Sequence, residues 1–177
     1  MSGTNNGPAE TDILGGGCFW CLEAVYERID GVKAVTSGYA GGTKANPTYQ
    51  EVSYGGTGHA EVVQIEYDPK IIPYDQILEV FWKAHDPTAL NRQGADVGTQ
   101  YRSIILYKDE TQRKIAEKSL READLSGPFM RKMVTEIKPL SVFYPAEDYH
   151  QDYFEKNPTA AYCVFVIQPK LEKLHLD

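Results

Sequence analysis

The chain has 177 residues, 42% of them hydrophobic and 24% charged, with a formal net charge of −7. That length suits one domain that buries its core without staples, and the negative balance, with Lys and Arg scattered, argues against nucleic acid or an anionic membrane as the main partner. Three cysteines are too few for a secreted disulfide framework, which points to the reducing cytoplasm and gives a close cysteine pair a redox or metal reading.

Met1 to Thr11 is polar with Gly and Pro, and reads as a flexible N-terminal arm, not a signal peptide. Residues 12–177 read as a single domain. Ile13–Gly16 is a short strand and Phe19–Ile29 a helix, with Leu22, Val25 and Ile29 on one face. Val32–Tyr39 alternates as a strand, Ala40–Pro47 is a surface loop, and Tyr49–Tyr54 is a short extended or helical piece. Glu61–Tyr67 is a strand by its alternation, ended by Asp68-Pro69. Tyr74–His85 carries Ile77, Leu78, Phe81 and Trp82 at helical spacing, and Asp86-Pro87 stops it.

Asn91–Gly98 reads as a polar loop and Tyr101–Tyr107 as a central strand. Asp109 caps a helix to about Ala123, and Gly127-Pro128 breaks the chain. Val134–Ile137 is a strand, Pro145–Pro158 holds a short helix, and the apolar run Tyr162–Ile167 is a last strand or extended segment. That run is far too short to span a membrane. The order βαββαβ is the split-βαβ signature of a ferredoxin-like α+β sandwich, with added loops and a C-terminal extension.

The chemistry concentrates at Gly17-Cys18-Phe19-Trp20-Cys21. Three glycines lead from strand to helix, so Cys18 is expected at a helix start, where free N–H groups and the helix dipole favour its thiolate. Cys21 lies one helical turn on, within reach for a disulfide. Glu61 opens an apolar strand, where desolvation raises its pKa and makes it a general acid. Asp96 sits in a Gly-bounded loop, the kind of position that carries either a site or an Asx turn. His59, His85 and His150 are candidate bases for a cysteine hydrolase, each with a structural reading beside it. Half a zinc site, with His59 or Cys163 completing it, is a further option.

These blocks resemble the A-type peptide methionine sulfoxide reductases, which act on the S epimer. Besides Gly17-Cys18-Phe19-Trp20, the likeness runs through Ser37-Gly38-Tyr39-Ala40-Gly41-Gly42, Asn46-Pro47-Thr48-Tyr49, Thr57-Gly58-His59-Ala60-Glu61, Gly98-Thr99-Gln100-Tyr101-Arg102-Ser103 and Tyr149-His150-Gln151 to Asn157-Pro158. The resemblance implies Cys18 as nucleophile, Phe19 and Trp20 as the wall for the substrate methyl, and Glu61 as the acid. It further implies Tyr49, Tyr101 and Asp96 as pocket residues. It implies no bound cofactor or metal, oxidised proteins and free methionine sulfoxide as substrates, and thioredoxin as reductant, with dithiothreitol as its substitute in vitro.

Two features depart from the family pattern. Cys21 stands where many members have Gly, and a glycine-rich tail with recycling cysteines is replaced by Tyr162-Cys163-Val164-Phe165. Proximity favours Cys21 as the resolving thiol, with Cys163 second. The competing readings are a general CxxC dithiol–disulfide oxidoreductase, a zinc-binding interaction module, and a Cys/His hydrolase. The chain is expected to act as a cytoplasmic monomer.

Overall fold

The computed structural model describes residues 8–127 and 129–177. In chain order the elements are β1 (Glu10–Gly15), α1 (Phe19–Glu27), β2 (Val32–Ala40), α2 (Tyr49–Tyr54), β3 (Ala60–Tyr67) and α3 (Tyr74–Ala84). Then come a small hairpin, β4 (Arg92–Gln93) and β5 (Asp96–Val97), then β6 (Ile104–Tyr107) and α4 (Glu110–Ser126). β7 (Glu136–Pro139), β8 (Phe143–Pro145), α5 (Tyr153–Lys156) and α6 (Gln168–Lys173) complete the order.

The main sheet has six strands in the order β7-β6-β1-β3-β2-β8. β3 lies between β1 and β2 and is antiparallel to both, β6 is antiparallel to β1, and only β7 runs parallel to its neighbour. Successive residues of a strand point to opposite faces, so Leu14 joins the large core under α1, α3 and α4 while Ile13 joins a smaller cluster with Ala60, Val62, Ile104 and Leu106. Burying one such side chain contributes roughly 1.5–3 kcal/mol relative to leaving it exposed. Local signals agree with this frame: Thr48 and Glu51 form a reciprocal capping box on α2, and the Asp109 side chain accepts from the Gln112 N–H at the start of α4.

Several expectations need correcting. β1 opens at Glu10, so Glu10 and Thr11 pair with Tyr67 and Glu66 instead of belonging to an arm; residues 1–7 of that arm lie outside the described residues, as does Pro128 of the expected break. The central strands are β1 and β3, not β6, which begins only at Ile104 after a tight turn over Thr99–Tyr101. The polar loop around Asp96 is the β4–β5 hairpin, turned at Gly94 with φ 56°. The expected strand Val134–Ile137 is shifted to β7, and the Tyr- and His-rich segment holds a turn at Asp148–His150 before α5.

The largest correction concerns Tyr162–Ile167. The segment is helical, with a wide π turn over Cys163–Ile167 running into α6. Only Cys163, Ile167 and Leu171 are buried, at four-residue spacing, while Val164, Phe165 and Val166 face outward. An apolar run this short does not distinguish strand from helix by pattern. Pro169 supplies the reason for the wide turn: it has no N–H to donate, and its ring crowds the carbonyl one turn back.

Candidate active site

The site is built where β1 gives way to α1. Gly16 lies flat against the His85 imidazole, so close that a Cβ there would fall 2.8 Å from the ring. His85 is itself fixed, with Nδ1 donating to the Phe81 carbonyl at 2.6 Å and Nε2 accepting from Ser103 Oγ at 2.7 Å. Gly17 takes φ 86°, a left-handed conformation that favours glycine, and its N–H donates to the Tyr101 carbonyl at 3.1 Å. The turn delivers Cys18 as the residue that caps α1, extended at φ −63° and ψ 130°.

Glu61, on β3 and 1% exposed, comes in from the neighbouring strand. Its Oε1 accepts the Phe19 N–H of the first turn of α1 at 3.1 Å. Burial pushes the Glu61 carboxyl up to about 8; nearby Asp96 adds to this, and hydrogen bonds from the Phe19 N–H and the Cys18 thiol only partly oppose it. At neutral pH this favours the neutral acid at Glu61.

Cys18 does not follow the expectation of a thiolate. It is 8% exposed, and burial, with Glu61 and Cys21 alongside, pushes its thiol well above the ordinary value. The Trp20 N–H and the nearby Tyr162 hydroxyl soften that rise without cancelling it. The helix end is spent partly on Glu61 through Phe19, and desolvation outweighs what remains. Cys18 rests as a thiol.

A pocket of about 200 Å³ collects Cys18, Glu61, Tyr49, Tyr101, Asp96, Phe19 and Trp20, and adds Tyr162. Cys21 is not part of its wall, although its N–H donates to the Cys18 carbonyl at 3.1 Å. Burial raises both Tyr49 and Tyr101, with Glu61 contributing, so their hydroxyls stay protonated donors. Phe19 is wholly buried, its ring between Tyr39 at 5.7 Å and His150 at 5.0 Å. Trp20 stacks on Tyr153 at 3.7 Å and donates its indole N–H to His150 Nδ1 at 3.2 Å.

Tyr162 escaped the sequence reading. Its hydroxyl donates to Asp96 Oδ2 at 2.7 Å and lies 3.5 Å from Cys21 Sγ. No spacing rule links it to a cysteine 141 positions earlier; the only available sign was a hydroxyl-bearing ring at the edge of an apolar run. Burial, with the two cysteines, holds its phenol far above the usual range. Asp96 is thus occupied by a phenol rather than by an Asx turn.

The three histidines weighed as bases are engaged elsewhere. His59 closes the 42–59 loop through the Gly42 N–H and the Lys44 carbonyl, His85 supports Gly16, and His150 accepts from Trp20. All three cysteines are free, and Cys163 is fully buried. The one described cluster with ligand atoms close enough to share an ion, Glu23, Glu27 and Asp152, uses no residue of the expected zinc set. No helix among the described residues is long and apolar enough to cross a membrane.

The geometry matches known proteins over nearly the whole chain. Residues 10–177 match the family described as peptide methionine sulfoxide reductase. The chain is 58% identical over 161 residues to peptide methionine sulfoxide reductase MsrA of Nautilia profundicola, covering 91% of each chain. It is similar to the reduced form of Mxr1 from Saccharomyces cerevisiae, with TM-score 0.82 and 37% identity over 88% of this chain and 89% of that one. A structure of Mxr1 in complex with Trx2 also matches, with TM-score 0.60 and 26% identity over 86% of this chain and 91% of that one. A neutral buried acid beside a cysteine in an aromatic pocket, on a chain this similar throughout, leads to one conclusion: the protein belongs to the peptide methionine sulfoxide reductase family.

Proposed function

We propose that the pocket reduces methionine S-sulfoxide, protein-bound or free, and that Cys18 takes the oxygen. The observation that carries this reading is the neutral Glu61, anchored by the Phe19 N–H and set beside the Cys18 thiol. The sulfoxide methyl rests against Trp20 and Phe19, and its oxygen points at Glu61 and the hydroxyls of Tyr49 and Tyr101. Glu61 gives its proton to that oxygen as the Cys18 sulfur attacks the sulfoxide sulfur, and it regains a proton from the Cys18 thiol. One proton moves from sulfur to oxygen by way of the carboxyl, so a thiol resting state is compatible with the step. The oxygen passes to Cys18 as a sulfenic acid, the substrate sulfur gains two electrons, and methionine leaves.

Cys21 is the favoured resolving thiol. It attacks the Cys18 sulfur, an S–S bond forms as the S–O bond breaks, and the hydroxyl leaves as water with the Cys21 proton. Tyr162, between Cys21 and Asp96, holds the attacking sulfur in place. Cys163 is second, since it is wholly buried in the helical C-terminal segment. A thioredoxin then reduces the disulfide, in keeping with the Trx2 complex of the yeast relative. The order β6-β1-β3-β2 with α1 and α3 on one face supports the split βαβ, ferredoxin-like description, in one catalytic domain. The same reading has the chain act as a monomer in the reducing cytoplasm.

Turnover of each epimer with dithiothreitol tests the reading. The S epimer alone is consumed, and Cys18→Ser consumes neither; reduction of the R epimer overturns it. Mass spectrometry after one equivalent of sulfoxide finds a Cys18–Cys21 bond, and a Cys18–Cys163 bond reverses the choice of resolving thiol.

A further inference from the structure

Glu147 is not part of the wall of the small pocket, yet it holds a residue that is. It stands half-buried between β8 and the turn over Asp148–His150, and its carboxyl gathers three donors. Oε1 accepts from the Tyr39 hydroxyl at 2.8 Å; Oε2 accepts from the Tyr49 N–H at 3.0 Å and from the Tyr149 hydroxyl at 3.3 Å. We infer that Glu147 is a positioning residue for the reduction step: it fixes the first residue of α2, and with it the Tyr49 hydroxyl, where the substrate oxygen comes to rest. The inference rests on the proposed role of Tyr49 as a donor to that oxygen and names the group that holds the donor in place.

Tyr49 needs such a hold because α2 has little of its own. The helix is six residues long, and of these only Val52 is buried. Loops that carry Gly41 and Gly42 on one side, and Gly55, Gly56 and Gly58 on the other, join it to β2 and β3. Its capping box and the Lys44–Glu51 ion pair lie within the same excursion of chain, so neither fixes α2 against the rest of the molecule. The Tyr49 N–H belongs to the first turn, where no carbonyl of the helix reaches it. Glu147, 98 positions later, supplies the acceptor, and His150 of the turn that follows lays its ring 4.6 Å from that of Tyr49.

Glu147 is itself well placed to do this. The Ala146 N–H donates to the Ser37 carbonyl at 2.8 Å, and the Gln151 side chain grips Ser37 twice, accepting its N–H and donating to its carbonyl, each at 2.9 Å. The backbone is thus fastened to β2 on either side of the acid. Partial burial works to raise the Glu147 carboxyl, but the Tyr49 N–H, its own N–H and the Tyr39 hydroxyl together hold it below the ordinary carboxylate value, so it is charged at neutral pH. Hydrogen bonds to a carboxylate are roughly twice as strong as those between neutral groups. One oxygen is tied to β2 through the buried Tyr39, and the other carries α2.

The test follows methionine release from free methionine S-sulfoxide in a single turnover, with the full chain in excess and no reductant, so that recycling does not enter. Glu147→Ala is expected to lower the maximal rate about tenfold or more, since small displacements of a reacting group are that costly, while the half-saturating concentration stays within about threefold. Glu147→Gln keeps an acceptor for the N–H and is expected to recover most of the rate. Tyr49→Phe keeps the N–H and removes the hydroxyl, so adding Glu147→Ala to it is expected to cost no more than about twofold further. Losses that multiply in the double variant overturn the inference, and so does a Glu147→Ala effect confined to half-saturation or a wild-type rate in that variant. Should Glu147→Ala fail to fold, Glu147→Asp carries the same comparison, because it keeps the charge on a side chain one methylene too short to span from β2 to α2. Tyr49→Phe at the full wild-type rate is a different failure: it removes Tyr49 from the reaction and this inference with it. A wild type that releases no methionine at all sinks the proposed function itself.

Discussion

Phe19 and Glu61 are joined by a 3.1 Å hydrogen bond from the first turn of α1 to a carboxyl on β3, across 42 residues of sequence. The bond ties the acid to the first turn of α1, the turn that follows Cys18. Replacing the acid by its amide keeps the acceptor and removes the proton. Glu61→Gln is therefore expected to fold and to lose about 10²–10⁴-fold in turnover, the usual contribution of a general acid. Wild-type turnover is expected to fall as pH rises past about 8, where Glu61 ionises, and the residual Gln variant activity lacks that limb. Steady-state rates from pH 6 to 10 check both; an unchanged limb in the variant assigns it to another group.

Trp20 is held from two sides, by the Tyr153 ring at 3.7 Å and by the His150 nitrogen at 3.2 Å. In the proposed reading this rigid indole is the fixed wall for the substrate methyl and keeps water from the reacting oxygen. Trp20→Ala is expected to lower kcat/KM for the sulfoxide by about 10- to 200-fold, in the range of a lost apolar contact, mostly through KM. Trp20→Phe keeps the wall without the N–H and is expected to lose less. Equal losses in both would assign the effect to the hydrogen bond with His150 rather than to the apolar face.

Much of this arrangement was legible beforehand, and the parts that were not have physical reasons. The strand–glycine–helix passage to Cys18 and the burial of Glu61 follow from local pattern, because β1, α1 and β3 each obey a clear period. The ionisation of Cys18 did not follow, because it is decided by burial under what closes over the sulfur: Glu61 and Tyr162 arrive from distant stretches, to join Cys21 of the next turn. The helical C-terminal segment was hidden for a different reason. Cys163, Ile167 and Leu171 form a one-residue-wide buried stripe, and the exposed Val164, Phe165 and Val166 beside it give the run the look of a strand.

Gly16 tests how tightly the turn before Cys18 is built. A methyl at this position would lie 2.8 Å from the His85 ring, and the ring is pinned by Phe81 and Ser103, so it has no room to retreat. Gly16→Ala is expected to destabilise by about 1–3 kcal/mol, the usual cost of overpacking, and to lower kcat as Cys18 shifts against Glu61. Pairing it with His85→Ala opens the space and is expected to recover part of the activity. No recovery in the double variant would mean that His85 is not the group the methyl meets.

Asp12 is the acid that the chemistry does not use. It is wholly buried on β1, and its two carboxyl oxygens have no hydrogen-bond partner among the described residues. Burial pushes it up to about 8, and the nearby Ile13 N–H, Lys108 and Tyr74 hydroxyl, none within hydrogen-bond geometry of the carboxyl, offset this only in part. The folded protein therefore holds a proton there that the unfolded chain releases near the ordinary carboxylate range. The stability that proton supports is full below that range and is lost as pH rises through about 8, with a slope approaching about 1.4 kcal/mol per pH unit in between. Glu61, Glu27 and Glu23, also raised by burial, add losses of the same sign. Asp12→Asn removes one of these contributions. Its melting temperature is expected to match wild type or fall slightly short near pH 5 and to exceed it by pH 9, with a shallower decline between. Parallel melting curves for wild type and variant across that window would show that Asp12 is already ionised in the folded protein.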